Sequence, residues 1–224
     1  VRHHFMRVYH LMTERWGLTA LRSSQLKLAR LGDMNDPFEL LGIELPKRRD
    51  REDFNALKAQ MNDTIGLLCF SRSWSSPVLW SHYGDKHKGI CLGFDIPDEL
   101  VKPVTYQGKR FASRIEHAIT RHSETVGYKL LTTKYEHWRY EDEVRLIVKL
   151  EGAPRDGEFY FAPFGGALRL REIITGHRCY LSSSTLRSIV EAAGHRASIT
   201  RARLAFRSFK VVRNRATSKT RCVS

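Results

Sequence analysis

Trp138-Arg139-Tyr140-Glu141-Asp142-Glu143-Val144-Arg145-Leu146-Ile147-Val148 takes a polar segment straight into an apolar, β-branched run. From Val144 to Leu150 the run reads as a strand. Side chains alternate across a strand, so Glu141, Glu143 and Arg145 share one face if extended geometry begins by Glu141. Val144, Leu146 and Val148 then point to the other face, as a core requires. Two carboxylates and a guanidinium on one face are costly to bury unless they pair or hold a ligand. Two readings stand at this point: a surface ladder in which Arg145 neutralises a glutamate, or a site.

At 224 residues the chain can bury a substantial core, as one domain or as one plus a small appendage. Hydrophobic content of 42% and charged content of 28% are globular values. No apolar run reaches the ~20 residues a membrane helix needs, and Val1-Arg2-His3-His4-Phe5 opens no long apolar segment. A cytoplasmic setting without membrane contact is the expectation. Cys69, Cys91, Cys179 and Cys222 are scattered without metal-ligand spacing, and the histidines form no H-E-x-x-H motif, so no metal is expected. The net charge of +14 attracts polyanions. From Arg201 to Ser224 there are eight basic residues and no acidic one. That segment reads as a solvated tail or as a surface for nucleic acid.

Along the chain, Arg7 to Met12 alternates like a strand, with Val8, His10 and Met12 on one face. Thr13 caps a predicted helix from Glu14 to Ser24. Gln25 to Leu31 alternates strictly and reads as a second strand, broken by the turn formers Gly32 to Glu39. Lys47 to Asp53 reads as an exposed connector, with Asp53 capping a helix to about Gln60. Leu67 to Ser71 is a strand, Pro77 opens a short helix through Tyr83, and Ile90 to Ile96 is an apolar strand. A strand and turn over Val101 to Lys109 and a helical region from Arg114 to Lys134 precede the strand from Glu143. Glu158 to Phe164 and Arg171 to Gly176 are further strands. Ser182 to Thr185 opens a helix to about Ala193, and Ser198 to Val212 reads as one long closing strand. The sum is an α+β fold without the regular βαβ alternation of a doubly wound sheet. It forms one domain over 1–224, with its core at about 7–212 and a basic tail at 213–224.

Three stations carry chemistry: His10 on an early strand, the helix containing Trp80 and Tyr83, and Glu143 opening a later strand. Their order resembles the His-Tyr-Glu arrangement of ADP-ribosyltransferases, which include poly(ADP-ribose) polymerases and toxins that modify nucleic acids. The wording is similar to that of a bacterial family of uncharacterised proteins. Its motifs appear here as Asn35-Asp36-Pro37-Phe38-Glu39, Trp80-Ser81-His82-Tyr83 and Tyr140-Glu141-Asp142-Glu143-Val144-Arg145. The resemblance covers about residues 7 to 212.

The resemblance implies a split β-sheet core with flanking helices and a cleft that holds NAD as co-substrate. His10 would donate to a ribose hydroxyl; its alternative is a core histidine bonded to backbone. Trp80 or Tyr83 would stack on the nicotinamide ring; the alternative for each is helix–sheet packing. Glu143 would bind the nicotinamide ribose and stabilise the positive charge that develops as the glycosidic bond breaks. Glu141 matches the first glutamate of a Glu-x-Glu pattern that positions or deprotonates the acceptor, and Arg145 would hold both carboxylates ionised. In that class an arginine occupies the first strand, whereas His10 belongs to the His-Tyr-Glu class. Asn35 and Asp36 would meet the adenosine or phosphate end of the cofactor, or else close an Asx-turn; Ser71 and Arg72 would meet the pyrophosphate. No G-x-G-x-x-G or G-K-[ST] motif supports a Rossmann or P-loop reading. The expected function is therefore ADP-ribosyl transfer to RNA or single-stranded DNA, as by a toxin restrained by an antitoxin protein or by a phage-defence effector. An NAD glycohydrolase and a nucleic-acid-binding module without chemistry are the alternatives.

Overall fold

The computed structural model describes residues 4–112 and 124–214. In chain order the strands are β1 (Phe5–Met12), β2 (Gln25–Lys27), β3 (Ile65–Ser71), β4 (Ile90–Pro97), β5 (Val101–Pro103), β6 (Thr105–Gln107), β7 (Thr133–Tyr135), β8 (Glu143–Lys149), β9 (Arg155–Asp156), β10 (Phe159–Pro163), β11 (Arg169–Thr175), β12 (Ser198–Leu204) and β13 (Val211–Arg213). The helices are α1 (Glu14–Ser23), α2 (Arg48–Thr64), α3 (Pro77–His82), α4 (Glu124–Leu131) and α5 (Ser183–Ala192). The architecture is mixed α+β. Two compact units share the chain: Val1–Leu26, Phe70–Asp98 and Ala162–Ser224 form the first, Lys27–Cys69 and Glu99–Phe161 the second.

In the first unit the strand order is β13-β12-β11-β4-β1, with the end of β3 beside β1 through the pair Tyr9–Ser71. β1 and β4 are antiparallel, with Val8 opposite Phe94, Tyr9 opposite Gly93, His10 opposite Leu92 and Leu11 opposite Cys91. Opposed residues share a face, so the pairing divides this sheet cleanly. On one face Tyr9 and Leu11 join Trp74, Trp80, Cys91, Ile174, Ala202 and Val211 in a core cluster, which seats α3 there. On the other face α1 crosses Ile90 through Gly17, where a Cβ would stand 3.0 Å from the isoleucine Cδ1. There Phe94 meets Phe70 and Phe164 edge-on. β11 and β12 are parallel neighbours, which demands a crossover, and α5 supplies it with Ser182 as its cap.

The second unit places the start of β3, β8 and β5 side by side and pairs β6 with β7 in parallel. Its core holds Leu31, Leu40, Ile43, Phe54, Met61, Leu67, Leu130 and Leu131.

Several sequence expectations need correction. Asp53 caps nothing: α2 begins at Arg48, and the ion pairs Arg48–Glu52 and Arg49–Asp53 lie along its first turns. A run of charges read as a connector is one helical face laced at i,i+4 spacing. The strand at Gln25 stops at Lys27, after which Ala29 makes a single bridge to Leu67. The long closing strand is a hairpin: β12 ends at Leu204, Ala205 N–H donates to the Lys210 carbonyl at 2.9 Å, and β13 returns from Val211. Of the predicted helix from Arg114 to Lys134, residues 124–131 are helical, and 113–123 lie outside the described residues, as do Arg215 and Cys222.

Two glycines are fixed by close backbone approach. A Cβ on Gly89 would stand 2.1 Å from the Met12 carbonyl oxygen, and one on Gly176 would stand 2.1 Å from the His87 carbonyl oxygen. Gly176 N–H donates to the Gly89 carbonyl at 3.0 Å, so the two positions hold one junction. Backbone has no rotamer with which to yield. Gly89→Ala and Gly176→Ala should each destabilise the fold by about 1–3 kcal/mol, read as a lower midpoint in urea unfolding.

Candidate active site

Strand β8 begins at Glu143 because Asp142 adopts a left-handed backbone, φ 45°, after the 3-10 turn Glu136–Glu141. Extended geometry therefore starts two residues later than a shared face for Glu141 and Glu143 requires. The two carboxylates meet all the same, through a lysine. Lys134, on β7, reaches the Glu141 carboxylate at 2.5 Å and the Glu143 carboxylate at 3.2 Å. Arg145, wholly buried, binds Glu143 through Nε at 2.8 Å and Nη2 at 3.2 Å. It also grips Glu39 at 2.5 and 3.1 Å and donates to the Leu131 carbonyl at 2.7 Å. Glu39 is the last residue of the Asn-Asp-Pro-Phe-Glu motif. Among the described residues three buried carboxylates thus face two buried cations.

Burial by itself raises the Glu143 carboxyl; Arg145 first and then Lys134 overcome it and hold the group down at about 2. Lys134 is lowered by its burial and raised further by Glu143 and Glu141, which leaves it above its ordinary value. Tyr106 supports the strand head, its hydroxyl accepting the Glu143 N–H at 2.7 Å. Burial pushes that phenol up to about 12, so it remains protonated. A cleft of about 360 Å³ in the same unit is lined by Lys134 together with Phe38, Gln107, Lys109, Arg110 and Tyr135 among others.

The neighbouring motif residues divide. Asp36 is buried and closes an Asx-turn, its Oδ1 accepting the Phe38 N–H at 2.9 Å, while its Oδ2 has no partner among the described residues. Asn35 is exposed.

The remaining candidates belong to the first unit. Trp80 is fully buried, its indole N–H donates to the Trp74 carbonyl at 2.7 Å, and the His87 ring lies nearly parallel to it, 10° apart. It is a core residue, whereas Tyr83 lies half-buried at the C-terminus of α3. His10 lies edge-on to Phe70 at 5.6 Å, on the sheet face opposite Trp80. The two do not line one wall.

Tyr9, Ser71 and Gly93 occupy the Trp80 face. The Ser71 hydroxyl donates to the Ser73 carbonyl at 2.8 Å, and Ser73 and Ser75 hydroxyls bond each other at 2.8 Å. Arg72 is exposed beside them. On this face Glu172, buried, packs across Gly93 and pairs with Arg213 at 2.6 Å and Arg7 at 3.3 Å. Burial and the Glu172 carboxylate push the Tyr9 phenol up to about 12. Sequence reasoning missed Lys134, Glu39 as a partner of Arg145, and the Arg7–Glu172–Arg213 group. Only Glu39 carried a signal, through its motif.

Asp85, Lys86 and His87 form a run of left-handed residues, φ 46°, 50° and 70°, in the turn after α3. Such a run is costly for residues with a Cβ. It sets the His87 ring against Trp80 and against His177, with ring centroids 4.7 Å apart.

A family model described as a protein of unknown function (DUF2971) matches residues 79–146, from Leu79 in α3 to Leu146 in β8. The matched stretch is 68 of the 224 residues and holds Trp80, Tyr83, the left-handed turn, β4, Glu141, Glu143 and Arg145. No curated protein and no solved structure matches the chain.

Removing one partner from a buried ion cluster leaves an uncompensated charge. Arg145→Ala should destabilise the protein by about 3–5 kcal/mol in denaturant unfolding, and Trp80→Ala by a similar amount through its cavity. A carboxyl lowered in the folded state stabilises above its unfolded value, here 4.5, and that contribution is lost as pH falls through about 2. The melting temperature of the wild type should therefore fall between pH 4.5 and 2 more steeply than that of Glu143→Gln, measured in parallel melts.

Proposed function

We propose that the chain is an NAD-dependent ADP-ribosyltransferase with an ADP-ribosyltransferase-type core, acting on a nucleic acid. The observation that carries this reading is the ionised Glu143 at the head of β8, fixed by Arg145 and Lys134, with Glu141 on the same lysine. Breaking the bond from the ribose anomeric carbon to nicotinamide sends the electron pair to the leaving ring and positive charge to the sugar. A carboxylate kept anionic before substrate arrives needs no reorganisation to stabilise that charge. The acceptor nucleophile then bonds to the anomeric carbon, and Glu141 is the base that takes its proton.

In this reading Tyr83 is the stacking aromatic, and Ser71 and Arg72 meet the pyrophosphate. The net charge of +14 makes RNA or single-stranded DNA the acceptor class. A toxin held by an antitoxin protein, or a phage-defence effector, is the biological role such chemistry fits.

One observation favours a second reading, a nucleic-acid-binding module without chemistry. Both Glu143 oxygens already accept from Arg145, one of them also from Lys134, and the carboxylate is buried, which is how a purely structural ion cluster is arranged.

Nicotinamide release from NAD separates the two. The wild type should release it in the presence of RNA, and Glu143→Gln, checked for folding by its melting curve, should lose about 10²–10³ in rate. Tyr83→Ala should weaken NAD binding with little change in stability. Absence of nicotinamide release by the wild type on RNA, single-stranded DNA and water alike would sink the transferase reading. Free ADP-ribose as sole product would make the protein a glycohydrolase.

A further inference from the structure

The β12–β13 hairpin ends in a feature the fold does not need. Ala202 and Val211 anchor its base in the core, and the Ala205–Lys210 bond closes a four-residue tip, Phe206 to Phe209. Phe206 is 89% exposed and Phe209 is 99% exposed. Leaving two such rings in water forgoes roughly 1.5–3 kcal/mol of burial apiece. Nothing in the described packing recovers it.

Along the hairpin's own sequence the charge has one sign. No acidic residue follows Glu191 in the sequence. The cations differ in their commitments. Arg201 donates to the Cys179 carbonyl at 2.5 Å and Arg213 pairs with Glu172, so both are tied into the sheet. Arg203 lies over the Phe206 ring, its guanidinium carbon 4.5 Å from the ring centroid, and Arg207 and Lys210 are exposed at the tip.

We propose that this tip is a base-stacking site for single-stranded nucleic acid, with Phe206 and Phe209 receiving unpaired bases and Arg203, Arg207 and Lys210 tracking the phosphates. Every base offers a flat π-face, and an exposed ring beside a cation is the pairing that holds one without reading sequence. Duplex hides those faces, so the tip selects unpaired strands. A lipid surface fits less well, because Phe206 would carry the Arg203 guanidinium toward hydrocarbon, where charge is expensive. The inference deepens the transferase reading, since it names how the acceptor is held, but binding without NAD tests it independently of any chemistry.

The experiment measures binding of a fluorescent 12-nucleotide oligo(U) RNA and of a matched RNA duplex by anisotropy, without NAD. Phe206→Ala and Phe209→Ala should each weaken oligo(U) binding by roughly 5- to 100-fold and leave the melting temperature unchanged. Duplex binding should stay within about twofold. Phe→Leu at both positions should behave like alanine, and Phe→Trp should restore affinity, because stacking and not greasiness is the requirement. Arg203→Glu with Arg207→Glu and Lys210→Glu should flatten the salt slope by about 2, at roughly 0.7 per phosphate contact. Unchanged oligo(U) affinity in the alanine variants overturns the proposal. So does full retention by the leucine variants. Binding to phosphatidylserine vesicles that the leucine variants keep, with no RNA binding by the wild type, assigns the tip to a membrane and also overturns it. RNA binding that behaves as expected in a protein releasing no nicotinamide upholds this inference while removing the transferase reading.

Discussion

Arg145 carries its charge with none of its surface in contact with water, and the second unit is arranged around that fact. The penalty for drying a guanidinium is several kcal/mol, recovered only where the donors are matched in geometry as well as charge. Its partners come from three places: Glu39 after the first turn, Leu131 at the end of α4, and Glu143 on its own strand. A planar fork facing two carboxylates and a carbonyl admits one arrangement of those segments. A hydrophobic contact at the same place would tolerate several.

The first unit solves the same problem with the opposite material. Its sheet is held by apolar faces, with Trp80 seated on Tyr9, Leu11 and Cys91 and its single polar atom given to the Trp74 carbonyl. Charge enters at the sheet's polar positions, where Glu172 sits over Gly93 between Arg7 and Arg213. Glycine is required there for space: a Cβ would lie 2.6 Å from the Glu172 Cγ. Both units therefore bury acidic groups beneath arginines, and in both the acid is anchored on a strand.

Legibility followed the range of the interaction that decides each feature. Period-two alternation found β1, apolar runs found β4 and β8, and capping chemistry found α1 behind Thr13 and α5 behind Ser182, because those signals are local. The start of α2 was hidden since its first turn is all charge, and i,i+4 pairing resembles a solvated linker in one dimension. Glu39 and Arg145 stand 106 residues apart, and no local rule joins them. Lys134 is an unremarkable lysine in sequence; only the pairing of β7 beside β6 carries it to the carboxylates. The faces of the first sheet became visible only with the β1–β4 register, which moved His10 away from Trp80. The aromatic tip was masked by the alternation of Ser198 to Val212, which continues through a turn that physically interrupts it.

The charge count of the cluster bears on what it can do. A balanced set of ions presents little field beyond its own contacts, and a buried pair so matched is inert toward substrate. Among the described residues Glu39, Glu141 and Glu143 outnumber Lys134 and Arg145, in a medium that screens charge poorly. Lys134 also lines the cleft, and its Nζ lies over the Trp138 ring at 4.8 Å. A cationic group or a sugar acquiring positive charge close to these carboxylates would meet an attractive field that already exists. The arginine and lysine hold Glu143 as a carboxylate, and a third carboxylate shares those two cations. A structural cluster needs only the first of these properties; a site that stabilises a developing cation needs both.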